Sequence, residues 1–289
     1  MITEKAYAKI NISLDVIGKR PDGYHDVSMI MQQIGLHDLV RMKIISEDKI
    51  LLKTNRSFLP TDERNIAYKA AEAFKKRFDI QKGIFLDIEK QIPVAAGLAG
   101  GSTNAAATLR GMNKLFEINA SLDELCEIGV KLGADVPYCI KGGTMLSEGI
   151  GEILTPVENR LNCYCVLVKP DFPVSTQYVY QNLVLGENTK HPDINSVKNA
   201  VQAGDLHALA ACAGNILETV TCNKYPVIEE IKKGMRDAGA ELAMMSGSGP
   251  TVFGLFSSKT KAQKCFMENK LGPYGAQTFL TCLCVNEYL

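Results

Sequence analysis

Residues 83–109 read GIFLDIEKQIPVAAGLAGGSTNAAATL, an apolar, strand-like run that delivers the chain to a glycine-rich turn and then, without a break, to an alanine-rich helix former. Gly97, Gly100 and Gly101 thin the backbone, so a ligand can approach it closely. A helix opening there aims its unpaired N–H groups at whatever the turn holds, and phosphate is the commonest guest of such a place. Ser102, Thr103 and Asn104 add hydrogen-bonding groups at the helix start, where they can equally serve as caps. No lysine follows the glycines, so the nucleotide loop G-x-x-x-x-G-K-[ST] is not met, and the one Gly-Lys pair, Gly18-Lys19, has Ser13 where that pattern needs glycine. The dinucleotide fingerprint G-x-G-x-x-G is absent as well.

Working outward, the helix after the turn places Ala105, Leu109, Met112 and Phe116 on one stripe. A second helix, SLDELCEIGVKLG, starts from a cap at Ser121 with Glu124 at capping-box spacing and stops at Gly133. GADVPYCIKGGTMLSEGIGEIL is expected to continue as loop and strands. Upstream, Pro60-Thr61-Asp62 opens a helix that carries Ile66, Ala70, Phe74 and Phe78. Before it, AKINISLDVIGKR alternates Ile10, Ile12, Leu14 and Val16 with Lys9, Asn11, Ser13 and Asp15, the pattern of a half-buried strand with Lys9 and Asn11 on its polar face. The turn Arg20-Pro21-Asp22-Gly23 ends that strand, VSMIMQQIGL resumes extended structure, and DLVRMKII and KILLKT give two more short strands.

Near residue 160 the pattern restarts with the strand NCYCVLVKP. Several helices follow, then a strand, glycine turn and strand in AELAMMSGSGPTVFGLF, a helix from Lys259 and a closing strand, AQTFLTCLCV. Strands separated by helices indicate an α+β second domain, so the expected division is 1–158 and 159–289.

The chain has 289 residues, 46% hydrophobic and 22% charged, as in an ordinary soluble globular protein. Lys+Arg and Asp+Glu both number 32, so no global field attracts nucleic acid or an anionic membrane, and charged ligands are met locally. No secretory h-region or membrane-length apolar run is seen. Nine cysteines without a C-x-x-C spacing, including the pairs Cys163/Cys165 and Cys282/Cys284 in strand-like runs, read as reduced core thiols of a cytoplasmic protein.

Other segments carry chemistry beside the glycine turn. Asp135 in LGADVP is either a turn residue or a carboxylate that orients an acceptor hydroxyl and takes its proton. Lys9 is either solvated or a cation that keeps a nearby carboxylate ionised and neutralises developing phosphoryl charge. MSGSGPTVF, residues 245–253, is a hairpin turn or a backbone surface that closes over substrate.

In this order, Lys9 in AKIN, the loop PVAAGLAGGSTNAA, Asp135 in GADVP and SGSGPT resemble the motifs of the galactokinase, homoserine kinase, mevalonate kinase and phosphomevalonate kinase superfamily. RPDGYHDV, DERNIAYKAA, IEKQIPVAAGLAGGSTNAA and LGADVPYCIKGG are similar to its branch acting on 4-diphosphocytidyl-2-C-methylerythritol, and the likeness runs from residue 6 to about residue 255. Ala99 stands where many relatives carry glycine, and Thr103 where serine is frequent.

The resemblance implies an α+β, two-domain fold, N-terminal ribosomal-protein S5 domain 2-like and C-terminal ferredoxin-like, with the active site in the cleft between them. It implies transfer of the ATP γ-phosphoryl group to the substrate's 2-hydroxyl, with Asp135 as base and Lys9 as its electrostatic partner. ATP would be bound by Pro93, Ala95, Ala96, Gly97, Leu98, Ala99, Gly100, Gly101, Ser102, Thr103 and Asn104, with Asn65 and Lys90 lining the adenosine pocket. Tyr24 would stack on the cytosine and His25 hydrogen-bond to it. Thr176 and Tyr180 would form the second side of that pocket, Asn11 would contact the methylerythritol end, and Gly247, Ser248 and Gly249 would close on substrate. Mg²⁺ is expected with ATP, Ser102 or Thr103 being possible ligands. The partners are small molecules, with no nucleic acid and no membrane, and the protein is expected to be a monomer or weak homodimer. Two alternatives stay open: another small-alcohol kinase, for which DGYH has no role, and a non-catalytic nucleotide-binding relative.

Overall fold

The structure is a computed structural model that describes residues 1–187, 189–270 and 277–283. It divides into two compact units that interleave along the chain: Met1–Ala8, Leu36–Val94 and Ala99–Gly142 form the first, and Lys9–Gly35, Ala95–Leu98 and Gly143–Leu289 the second. Two long paired strands, β1 (Ile2–Lys19) and β2 (His25–Ile45), contribute to both. The two strands expected over residues 27–45 are one, because no proline or turn-type glycine interrupts them: Gly35 continues the extended backbone.

In the first unit, the end of β2 pairs antiparallel with β4 (Gly83–Glu89), Leu39 opposite Glu89, and β4 pairs in parallel with β3 (Ile50–Thr54). Val40, Met42, Ile84, Leu86 and Ile88 form the buried face. The helices are α1 (Ile66–Arg77), α2 (Gly100–Leu115), α3 (Leu122–Gly129) and α4 (Val136–Lys141). Helix α2 is buried without interruption from Thr103 to Met112, which small side chains permit. At Gly111 a Cβ would come within 1.8 Å of Met42 Cε, so the tip of the Met42 side chain fills the space that glycine leaves beside the helix. The capping box of α3 forms as the sequence indicates. Helix α4 replaces the loop expected after Asp135; Pro137 in its first turn is the signal, since proline fits where no intrahelical N–H bond is needed.

In the second unit, the start of β2 pairs antiparallel with β5 (Thr144–Gly149), and β5 with β6 (Ile153–Pro156). A four-stranded antiparallel sheet follows, in the order β10 (Gln277–Cys282), β7 (Tyr164–Lys169), β9 (Val252–Phe256), β8 (Leu242–Met245). Its buried strands Val166–Val168 and Val252–Phe256 are covered by α9 (Val227–Asp237) and α10 (Lys259–Lys270). The remaining helices are α5 (Thr176–Gln181), α6 (Ile194–Ala203), α7 (Leu206–Cys212) and α8 (Glu218–Lys224). Cys163 and Cys165 are buried, whereas Cys282 is exposed at the sheet edge, against the reading of all the thiols as core; Cys284 lies outside the described residues.

The half-buried reading of β1 is corrected. Lys9, Asn11, Ser13 and Asp15 are as buried as the isoleucines between them. Alternation identifies the polar face but not what covers it. In the second unit the cover comes from two remote segments: Ser13 Oγ donates to Gly214 O at 2.9 Å, and Asp15 Oδ1 meets His191 Nδ1 at 2.8 Å.

Candidate active site

The second unit gathers one group of the expected residues around β1. The buried Lys9 ammonium donates to Asn11 Oδ1 at 2.6 Å, and the Lys9 N–H donates to Leu98 O at 3.3 Å. Asn11 Nδ2 rests on Met29 Sδ at 3.1 Å. Two glycine turns meet beside this pair. Ser246 Oγ donates to Gly97 O at 3.0 Å, and a Cβ on Gly97 would stand 2.2 Å from Ser246 O. A Cβ on Gly247 would lie 3.5 Å from both Lys9 Nζ and Asn11 Oδ1. Both glycines have φ in the left-handed region, +74° and +57°, so glycine supplies the close approach and the backbone shape together. A buried ammonium beside a glycine turn, with a neutral amide as its partner within the unit, is suited to an anion.

A second cluster lies in the same unit. The rings of His25 and Tyr180 are 5.2 Å apart and tilted by 44°. Thr176 Oγ1 and Ser248 Oγ are 2.8 Å apart, which ties the start of α5 to the 246–250 turn. Tyr24, next to the Pro-Asp-Gly turn, is 60% exposed and its ring is free to stack. Burial, and secondarily the charge of Lys19, lower the His25 pKa below 6.5, so its imidazole is neutral at neutral pH.

In the first unit, helix α2 begins at Ala99, which has φ +55° and offers no side-chain cap. Ser102, Thr103 and Asn104 lie inside the helix, so the capping alternative fails and the first-turn N–H groups remain a positive terminus. Ala95, which belongs to the second unit, also has positive φ, +52°, which costs an L-residue about 1 kcal/mol. Along the loop, the side chains of Pro93, Ala96 and Leu98 are buried, while Ala95, Gly97, Ala99, Gly100, Gly101 and Ser102 reach the surface. Thr103 is buried and its hydroxyl donates to Tyr7 O at 2.7 Å.

Two residues expected at the adenosine end have other partners. Asn65 is the N-cap of α1, accepting from Ala67 N at 3.0 Å and donating to Pro60 O at 2.9 Å. Lys90 is buried, and its ammonium donates to Asp38 Oδ2, to Asn104 Oδ1 at 3.0 Å and to Gly100 O at 3.2 Å, which engages all three protons. Burial lowers its pKa and Asp38 opposes the shift. The fully buried Asp38 also accepts from Gln91 N at 2.6 Å, Ile92 N at 2.8 Å and Asn104 Nδ2 at 2.8 Å. Sequence reading misses Asp38; its signal is a carboxylate inside a long apolar strand. Asp135 precedes α4 with its carboxylate capping no backbone N–H, half-buried at the surface of the unit.

Among the described residues, Glu218, Cys222 and Glu229 stand close enough to share a cation, but the Lys232 ammonium already donates to both carboxylates at 2.7 Å. Among the same residues no helix is long and apolar enough to cross a membrane.

Known proteins resemble this chain in sequence and in fold. Residues 65–143 match the GHMP kinases N terminal domain and residues 197–267 the GHMP kinases C terminal domain. The chain is 56% identical over 281 residues to a 4-diphosphocytidyl-2-C-methyl-D-erythritol kinase of Lachnoclostridium phytofermentans, covering 97% of each chain. A protein of the same name from Clostridium perfringens is 52% identical over 91% of each chain. The crystal structure of a 4-(cytidine 5'-diphospho)-2C-methyl-D-erythritol kinase superposes with a TM-score of 0.83 at 26% identity, covering 98% of this chain and 99% of that one.

Proposed function

The chain belongs to the 4-diphosphocytidyl-2-C-methyl-D-erythritol kinase family of the GHMP kinases, and from that premise we propose how its residues carry out ATP-dependent phosphorylation. The reaction is transfer of the γ-phosphoryl group of ATP to the 2-hydroxyl of the cytidylyl substrate, with ADP as leaving group. The substrate oxygen attacks phosphorus, the bond to ADP breaks, and the hydroxyl proton passes to Asp135. Lys9 stabilises charge on the transferring group.

The observation that carries this reading is the Lys9 ammonium, buried beside Asn11 and against Gly247 with a neutral amide as its partner in that unit. A buried cation so placed is worth its desolvation only if an anion visits it. The loop is assigned to the ATP phosphates because the uncapped start of α2 presents N–H groups and a positive dipole end. This is what a phosphate loop without a following lysine uses instead. Lys90 serves the loop from beneath, through Gly100 O and Asn104, and Asn65 through the start of α1.

Tyr24, His25 and Tyr180 are assigned to the cytosine, Thr176 and Asn11 to polar contacts with the substrate, and Gly247, Ser248 and Gly249 to closing on it. The tilted His25–Tyr180 pair and the Thr176–Ser248 contact support grouping these residues. Of the two hydroxyls considered for Mg²⁺, Ser102 fits better, since Thr103 is buried and bonded to Tyr7 O. The ion would neutralise phosphate charge there. We place the domain boundary at 158/159, between the two family matches, and the protein in the cytoplasm, as eight free cysteines among the described residues support.

The deciding experiment is an ATP-consumption assay with the cytidylyl substrate against mevalonate, homoserine and galactose. A strong preference for the first is expected, and lack of preference sinks the assignment.

A further inference from the structure

Residues 214–221, GNILETVT, have no part in the function proposed so far, yet they join β1 to the 245–248 turn. On one side the segment is stitched to β1. Leu14 N donates to Gly214 O at 2.8 Å, Ile216 N to Leu14 O at 3.0 Å, and Ser13 Oγ to Gly214 O at 2.9 Å. On the other side three side chains grip the backbone of the 245–248 turn. Asn215 Nδ2 donates to Met245 O and to Gly247 O, both at 2.8 Å. Glu218 Oε1 accepts from Met245 N at 2.7 Å, and Thr221 Oγ1 donates to Ser248 O at 3.2 Å.

Asn215 is central to this arrangement. It is 6% exposed, both amide protons are used on the turn, and Oδ1 accepts from Leu217 N at 3.0 Å. Burial raises the Glu218 pKa, and the Lys232 ammonium, donating to its other oxygen at 2.7 Å, opposes that rise and fixes the carboxyl in place. The turn they hold is rich in glycine, with Gly247 at φ +57° and Gly249 at φ +88°. Such a backbone has many conformations in the free chain, so the contacts from outside add to its own two bonds, Ser246 N to Thr251 O at 2.8 Å and Gly249 N to Ser246 O at 3.0 Å. The same backbone at Gly247 approaches Lys9 Nζ and Asn11 Oδ1.

We propose that Asn215 is a positioning residue for phosphoryl transfer: its carboxamide, flanked by Glu218 and Thr221, sets Gly247 against Lys9 and Asn11, and so sets the room left for the acceptor alcohol. It acts through the turn and touches no reactant. The proposal rests on the kinase reading above and on the assignment of Gly247, Ser248 and Gly249 to substrate.

The test is Asn215→Asp, which preserves shape, removes both donors and sets a carboxylate oxygen against two carbonyls. Backbone hydrogen exchange is followed by mass spectrometry, alongside steady-state kinetics for both substrates. Exchange over 245–249 should rise about tenfold, and kcat/KM for the cytidylyl alcohol should fall about tenfold or more. KM for ATP should move by less than about threefold, because the start of α2 is held by other residues. Thr221→Val removes one hook without changing side-chain shape, and should move the same two readouts in the same direction by about threefold even if the aspartate variant does not fold. Unchanged exchange over 245–249 in both variants overturns the proposal. So does faster exchange with alcohol kinetics left as in the parent, since the turn would then be held without consequence for substrate. Absence of turnover in the unaltered protein overturns the kinase reading, and the functional half of this proposal with it. The exchange measurement then decides by itself whether Asn215 holds the turn.

Discussion

The Lys9 ammonium reaches Asn11 Oδ1 at 2.6 Å on a strand face that the alternation of β1 marks as polar and the fold buries. A neutral partner leaves the charge uncancelled within that unit, so the ammonium keeps most of its field for the phosphoryl group proposed to meet it. Lys9→Met fills the same volume without the charge. It should lower kcat by about two to three orders of magnitude while the far-ultraviolet circular dichroism stays that of the parent. Loss of ATP binding with kcat preserved would assign Lys9 to the ground state instead.

Asp135 caps nothing in α4, so its carboxylate can be changed without loosening the helix. Asp135→Asn should lower kcat by about two to four orders of magnitude, with thermal stability within about 0.5 kcal/mol of the parent. Nucleotide affinity, read by calorimetry, should be spared, since the amides of the phosphate loop are untouched. Equal losses of affinity and turnover count against a role in the transition state.

Lys90 and Asp38 form a buried pair on which the glycine loop rests through Gly100 O and Asn104. Asp38→Asn leaves the ammonium buried without its counter-charge, at a cost of about 3–5 kcal/mol in chemical denaturation. Joining it with Lys90→Met should recover part of that loss, a coupling that two independent sites would not show. Lys90→Met also separates two roles. If the lysine shapes the loop, affinities for ADP and GDP weaken by the same factor; if it touches the base, the two diverge.

How much of this is legible in the sequence follows from what each residue needs. The turn before α2 is readable because glycine, alanine and small polar residues carry their backbone preferences locally. Ser121 and Glu124 announce α3 for the same reason, and Pro137 would have announced α4. The burial of β1 on both faces is not readable: Ser13 is covered by Gly214, which lies 201 positions away. Asn215 is hidden as well, because its work is done on Met245 and Gly247, 30 and 32 positions away. Lys90 shows the converse limit. Its place in a motif is visible, but only the fold reveals that Asp38, 52 positions earlier, takes one of its protons.

His25 lies 5.2 Å from the Tyr180 ring, and burial first, then the charge of Lys19, hold its pKa below the ordinary 6.5. A base that settles on this ring buries it further, so binding favours the neutral imidazole and protonation opposes binding. The sign follows from linkage. As pH falls from 8, KM for the cytidylyl substrate should stay flat past 6.5, then rise as pH passes through the lowered His25 value. His25→Gln, which cannot titrate, should remove the rise. Lys19→Gln removes one of the two causes of the shift, so the rise should begin at higher pH than in the parent. A profile of KM against pH for the three proteins checks each step, and a rise that survives in His25→Gln would transfer the effect to another group.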